Sequence, residues 1–309
     1  MSTTQAVTNA TVAGSLRGKR IDVVGYVFTG LLLLSLLFTL AIVAVLVGDQ
    51  LQRGMPVFLE RGLDFVTSPL SSRPDRAGVI QGIVGTAMLG VMVALLAFPV
   101  GILTAVYLEE YAPANRVTRF IDVNIRNLAG VPSVVYGLLG LAAFVAFFSA
   151  LGMGNGRNIL SGGLTLAVLI LPLVIITSAE AIRAVPDTIR EAGYGIGASR
   201  WQVVRQLVLP SAAPGILTGT VLALSRALGE TAPLILAGAV LGSFSTAGGI
   251  DDLFTGPYTA LPMIVFDWAR KPQEEFRALT SAAILVLLAV TILANAIAIF
   301  LRNRYDRTW

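Results

Sequence analysis

Residues 23–48 read VVGYVFTGLLLLSLLFTLAIVAVLVG, an unbroken run without Asp, Glu, Lys or Arg. A helix rises 1.5 Å per residue and the hydrocarbon core of a bilayer is about 30 Å thick, so about 20 apolar residues cross it. Arg17, Lys19 and Arg20 precede the run, as in a secretory signal. The run is far longer than a signal's apolar core, and no small-residue cleavage site follows. It reads as an uncleaved membrane helix behind a disordered cytoplasmic tail, residues 1–20, rich in Ser, Thr, Ala, Gln and Asn.

Further runs without a charged residue extend over Ala77–Leu108, Asn127–Gly156, Asn158–Ala179 and Ala278–Leu301. Pro214–Leu241 is a comparable run interrupted only by Arg226 and Glu230. Six spans make this an all-α membrane protein; a β-barrel would show short alternating segments instead. Composition agrees. Of 309 residues, 55% are hydrophobic and 13% charged, with a mean hydropathy of +0.80. A soluble domain carries about 25% charged residues, so too little polar surface remains here to face water. There is no Cys and no His, which excludes disulfides, zinc or haem ligation and histidine-based catalysis. The net charge of +4 is too small for a nucleic-acid surface.

Lys and Arg are in excess on the segments that lie inside if the N-terminus is cytoplasmic, and Arg302, Arg304 and Arg307 put the C-terminus inside too. The chain therefore divides into the tail, a first helix and outer loop (21–76), a five-helix core (77–301) with a cytoplasmic loop at 183–212, and a basic C-terminus (302–309). Pro99, Pro132, Pro172 and Pro233 fall within four of the spans, where neighbouring helices re-satisfy freed carbonyls. Gly137 and Gly140 would let helices approach closely.

Residues 186–215, PDTIREAGYGIGASRWQVVRQLVLPSAAPG, stand out among the loops. Pro186-Asp187 is a helix opening, since Pro suits a first turn and Asp its positive dipole end. Ile189, Ala192 and Ile196 are placed along one side. Gly193, Gly195 and Gly197 suit close approach of another backbone. Trp201, Val204 and Val208 follow at helical spacing. This is an amphipathic helix–turn–helix, either lying passively among headgroups or docking into a groove of a soluble partner.

The segment Glu191-Ala192-Gly193, Gly197, Leu207-Val208-Leu209-Pro210 resembles the EAA loop of ABC-importer permeases, departing mildly at Gly193 (Ala is common) and Leu207 (Ile is common). In that family the loop is the coupling helix seated in a cytoplasmic ATPase. The resemblance implies that Glu191, Ala192, Gly193, Gly195 and Gly197 form the ATPase contact. The run LSRALGETAPL (224–234) is similar to the fifth span of phosphate-importer permeases, as are LAGVPSVVYGLLGL (128–141) and YTALPMIVFDWARKPQEEF (258–276). The likeness implies a type I importer permease fold. It also implies a companion permease as heterodimer partner, a cytoplasmic ATPase dimer that holds ATP and magnesium, and an external phosphate-binding protein. The outer loops 49–76 and 242–277 are the candidates for meeting that protein, and Asp251-Asp252 and Gln273-Glu274-Glu275 read as solvated surface.

Arg226 and Glu230, four apart, are expected near the middle of the fifth span and on one helix face. Each ionised group at a helix centre costs about 2.5–3.5 kcal/mol on insertion scales, so both should face protein or water. They are either a structural ion pair or a substrate pathway in which the Arg fork replaces hydration lost by phosphate. Ser225 and Thr231 could add hydroxyl contacts. Glu180 and Arg183 are expected to pair at the cytoplasmic end of the fourth span.

No G-x-x-x-x-G-K-[ST] occurs, so this chain does not carry the phosphate-cradling loop of an ATPase, and is not expected to be an enzyme. The resemblance implies alternating access driven by the partner ATPase. Permeases for sulfate or molybdate, and an ATP-independent secondary transporter, are the alternatives. A membrane enzyme has no carboxylate cluster to work with.

Overall fold

The computed structural model describes residues 23–239 and 256–305, without the side chains of 301, 304 and 305. The tail, Asp251-Asp252 and Arg307 lie outside the described residues. Among those described, every regular element is helical, and six helices are long and apolar enough to cross a membrane.

Helix α1 (Val23–Arg61) runs well past Gly48, where the charge-free stretch ends. Asp49, Gln50 and Arg53 end the apolar composition but not the hydrogen-bond ladder, because all three tolerate helix. The first unit ends at Asp49, and its described residues, 23–49, are helical with none buried. In lipid this costs nothing, since tails are as apolar as the exposed Leu and Val side chains. From Gln50 onward the chain forms a second unit. Here Gly54 is buried, and a β-carbon on it would stand 2.8 Å from the Ala282 backbone nitrogen.

After the short α2 (Asp64–Thr67), α3 covers Ile80–Tyr111 and ends in a π turn, Tyr107–Tyr111. Helix α4 (Arg116–Ala129) is amphipathic and has no buried residue; Asn115 caps it by accepting from the Thr118 amide at 2.9 Å. Helix α5 covers Ser133–Ala150 and α6 covers Ile159–Arg183. Helix α7 (Asp187–Gly195) lies in the cytoplasmic loop. Helix α8 covers Arg200–Gly229, α9 Ala232–Leu236, α10 Leu261–Trp268 and α11 Glu275–Tyr305.

Helix α6 is the axis. Its most apolar window is 67% buried, against 11% for α11, and α3 and α8 pack along it. An Asn158–Ser161 capping box starts it, and Pro172 is accommodated in its interior. A second buried cluster, with Phe65, Trp268 and Phe276, joins the outer ends of α3 and α11. A third, with Ala105, Ile182, Val203 and Val208, joins the cytoplasmic ends of α3, α6 and α8.

Two of the four prolines differ from expectation. Pro99 and Pro172 lie inside helices. Pro132 is instead the N-cap of α5, and Pro233 sits in the first turn of α9. Both positions suit a residue without an amide hydrogen. The glycines expected to permit close packing do so: a β-carbon at Gly137 would stand 2.8 Å from Pro233 Cα, and one at Gly140 would strike Thr165.

Candidate functional site

The fifth span is broken, and the break has a local cause. Pro233 lacks the N–H that would bond the carbonyl of Gly229, and its ring would collide with that carbonyl. Helix α8 accordingly ends at Gly229; Glu230 is extended (φ −77, ψ 121), and α9 restarts at Ala232. Arg226 therefore stands in the last turn of a helix and Glu230 just beyond its end, not mid-helix as the spacing suggested. A cation in the last turn faces the partial negative charge of the carbonyl end, which favours it there.

Arg226 Nε and Glu230 Oε1 are 3.4 Å apart, with side chains 46% and 20% exposed. This is the only hydrogen bond that Arg226 makes among the described residues, and neither terminal nitrogen of its guanidinium has a partner among them. Tyr136 on α5 lies within electrostatic range and donates its hydroxyl to the Leu128 carbonyl at 2.9 Å. Ser225 is turned elsewhere: its hydroxyl lies 2.7 Å from the Asn295 amide oxygen on α11 and 2.9 Å from the Val221 carbonyl. Thr231 is the half-buried residue that precedes α9.

At the cytoplasmic end, Pro186 caps α7 and Asp187 opens it. The three glycines do three different things. Gly193 is buried against Val203 and Leu207, Gly195 has open space around it, and Gly197 takes φ +82, a left-handed conformation natural to glycine. Glu191 and Ala192 are exposed. The apolar side expected to run through Ile196 does not pack inward: Ile196 ends the helix 85% exposed, and Tyr194 and Trp201 are exposed beside it. Val204 and Val208 are buried as their spacing indicates.

Glu180 and Arg183 do not pair with each other. Arg183 Nε donates to Glu109 Oε2 at 3.2 Å, while Glu180 lies 3.9 Å from Arg126 on α4. On helix α6 the two side chains are close in sequence, yet each has a partner on a different neighbouring helix. Glu109 and Arg183 border a groove of about 510 Å³ that is also lined by Arg116, Arg119 and Asp122.

Residues missed by sequence reading are Asn295, Arg190 and Glu110. Asn295 sits in a charge-free run; its amide was a signal in itself, because a polar group in a span seeks an interhelical partner. Arg190 and Glu110 looked like ordinary inner-loop charges. Glu110 is buried and Arg190 partly buried, their side chains 6% and 17% exposed, and the two are joined at 2.8 Å.

The sequence profile described as "Binding-protein-dependent transport system inner membrane component" matches residues 97–307. The "Probable ABC transporter permease protein YqgH" of Bacillus subtilis is 35% identical over 219 residues, 66% of this chain and 69% of that protein. The "Phosphate transport system permease protein PstA 1" of Mycobacterium tuberculosis is 34% identical over 233 residues, 74% of this chain and 72% of that protein. Among solved structures, an inward-facing form of the MetNI methionine ABC transporter superposes with a TM-score of 0.60 at 16% identity, covering 74% of this chain and 96% of the other. The chain belongs to the family of binding-protein-dependent transport system inner membrane components. It is a multi-pass inner-membrane permease subunit with the fold of an ABC-importer permease.

Proposed function

We propose that this permease subunit forms half of the translocation pathway for inorganic phosphate. The single observation that carries the reading is the guanidinium fork of Arg226 at a helix break, which among the described residues is held to Glu230 through Nε and has no partner on its terminal nitrogens. Phosphate entering a narrow pore loses hydration, and a planar, permanently charged fork replaces several of those hydrogen bonds at once. Glu230 holds the fork while the pathway is empty and yields it to the oxyanion. Thr231, at the break, adds a hydroxyl to the pathway, while the Ser225 hydroxyl beside Arg226 is held at Asn295. The PstA 1 relative, whose name assigns it to phosphate, supports this substrate over sulfate or molybdate.

The companion subunit is a second permease of the PstC kind. An ATPase dimer of the PstB kind supplies ATP and magnesium, and a PstS-like binding protein delivers phosphate from outside. Glu191, Ala192, Gly195 and Gly197 form the ATPase contact, with Gly193 buried behind them against Val203 and Leu207, and exposed Tyr194, Ile196 and Trp201 give that surface an apolar anchor of the sort that fills a partner's groove. ATP-driven closure then favours the outward-facing state, because the ATPase contacts the two states differently.

The test is uptake of radiolabelled phosphate into liposomes holding the four components, with sulfate and molybdate as competitors. ATP-dependent, phosphate-selective uptake that is lost in Arg226→Gln while the complex still assembles is the expected result. Undiminished uptake in Arg226→Gln removes the pathway role. Uptake by this chain alone without ATP would mean a secondary transporter.

A further inference from the structure

The guanidinium of Arg190 on α7 uses all five of its N–H groups. Nε and Nη2 donate to Glu110 Oε1 at 3.1 and 2.8 Å, and Nη2 also donates to the Ile182 carbonyl at 3.0 Å. Nη1 donates to the Val185 carbonyl at 2.6 Å and to Asp187 Oδ1 at 3.2 Å. Glu110 belongs to the π turn that ends α3, and Ile182 and Val185 lie at the end of α6. One side chain thus ties the loop helix to the ends of two membrane helices, and its charge meets the carbonyl end of α6, where a cation is favoured.

We propose that Arg190 is the positioning residue that makes α7 and the cytoplasmic ends of α3 and α6 a single mechanical body, so that displacement of the loop helix by the ATPase is delivered to the membrane helices. The proposal rests on the ATP-driven import reading above. Covalent connection alone does not do this work. Helix α7 joins α6 through Ala184 and Val185, but it is separated from α3 by most of the chain between Glu110 and Arg190. Only side-chain contact couples them. Val203 and Leu207 also pack against Gly193 of α7, but apolar contacts permit sliding. Hydrogen bonds from a rigid fork to a carboxylate and two carbonyls fix direction as well as distance. A lysine, with three donors on a flexible stem, could hold Glu110 or the carbonyls but not the whole set. The neighbouring Arg183–Glu109 pair is the built-in control, since Arg183 is 57% exposed and joins α6 to α3 without touching α7.

The measurement uses the assembled importer in liposomes, reading phosphate imported per ATP hydrolysed. Arg190→Gln and Glu110→Gln are expected to keep ATP hydrolysis while the ratio falls at least about tenfold, equivalent to about 1.4 kcal/mol of lost coupling. Arg190→Lys is expected to recover part of it, and Arg183→Gln to leave it within about twofold, the scale of an exposed pair. Equal loss of import and hydrolysis in both Gln variants would reduce Arg190 to a folding contact and overturn the proposal. A second readout stands apart from the substrate. The chain has no cysteine, so Ala114→Cys with Thr188→Cys, both exposed, gives one spin-label pair across the tie. Its distance should be the same with and without trapped nucleotide, and should broaden in Arg190→Gln. A shift beyond about 5 Å, one helical turn, in the otherwise unaltered complex overturns the single body. Uptake that proceeds without ATP overturns the import reading instead, and the label distance in Arg190→Gln still decides the tie.

Discussion

A β-carbon on Gly193 would stand 2.8 Å from Cδ1 of Leu207. These two positions are the ones at which the loop departs from the EAA pattern, and the structure puts them in contact. Leu and Ile have the same volume, but Leu branches one carbon further from the backbone, and its Cδ1 fills the space that glycine leaves at 193, so the two departures compensate each other. In a solvent-facing helix, Gly→Ala would stabilise by about 1 kcal/mol. Here the neighbour must give way, and Val203 Cγ2, at 2.9 Å, blocks the alternative.

Gly193→Ala is therefore expected to destabilise the assembled complex by about 1–2 kcal/mol, the cost of overpacking a filled contact. Leu207→Ala alone should also destabilise, and the double variant should lose less than the sum. Thermal unfolding of the four proteins in detergent reads the cycle; strictly additive losses would mean that the two side chains do not meet.

Gly195 and Gly197 are expected to behave oppositely under the same change. Gly195→Ala meets open space within this chain at an ordinary backbone conformation and should leave Tm unchanged. Gly197→Ala forces a β-carbon into φ +82 and should cost about 1–2 kcal/mol. Comparing ATPase-dependent protection of the loop from proteolysis in the two variants checks this. Equal protection and equal Tm would count against the turn geometry.

Ser225 and Asn295 join α8 to α11. Ser225→Ala and Asn295→Ala should each destabilise modestly, with a coupling of about 0.6 kcal/mol, typical for an interhelical hydrogen bond in a membrane. A double-mutant cycle on unfolding in mixed micelles measures it. A coupling of zero would place the two groups apart. A fall in import much larger than the stability loss would support a pathway role for Ser225.

Tyr258 is wholly buried, and its hydroxyl has no partner among the described residues. A β-carbon on Gly162 would collide with that hydroxyl, so the ring is wedged against the start of α6. An unmet buried hydroxyl costs about 1–3 kcal/mol. Tyr258→Phe keeps the ring and is expected to hold or raise Tm, whereas Gly162→Ala should lower it. A clear drop in Tm for Tyr258→Phe would reveal a bound water satisfying the group.

Composition and charge spacing by themselves determined the membrane class and the six spans, and made the loop between the fourth and fifth legible as an amphipathic helix pair. These follow from one-dimensional facts, since about 20 apolar residues cross a bilayer and the apolar repeat changes where the spans stop. The helix ends were less legible. Helix α1 outruns its apolar stretch because charged residues end burial in lipid without ending helical hydrogen bonding. The break after Gly229 was written in the sequence, in the four-residue offset to Pro233, but charge counting could not display it. Partnership was beyond sequence altogether. Glu180 and Arg183 lie three apart and yet pair with Arg126 and Glu109. Arg190, one among several inner basic residues, reaches Glu110 eighty positions away because α6 brings the two helix ends together. Which charge is spare and which is a strut depends on what packs beside it, and tertiary structure alone decides that.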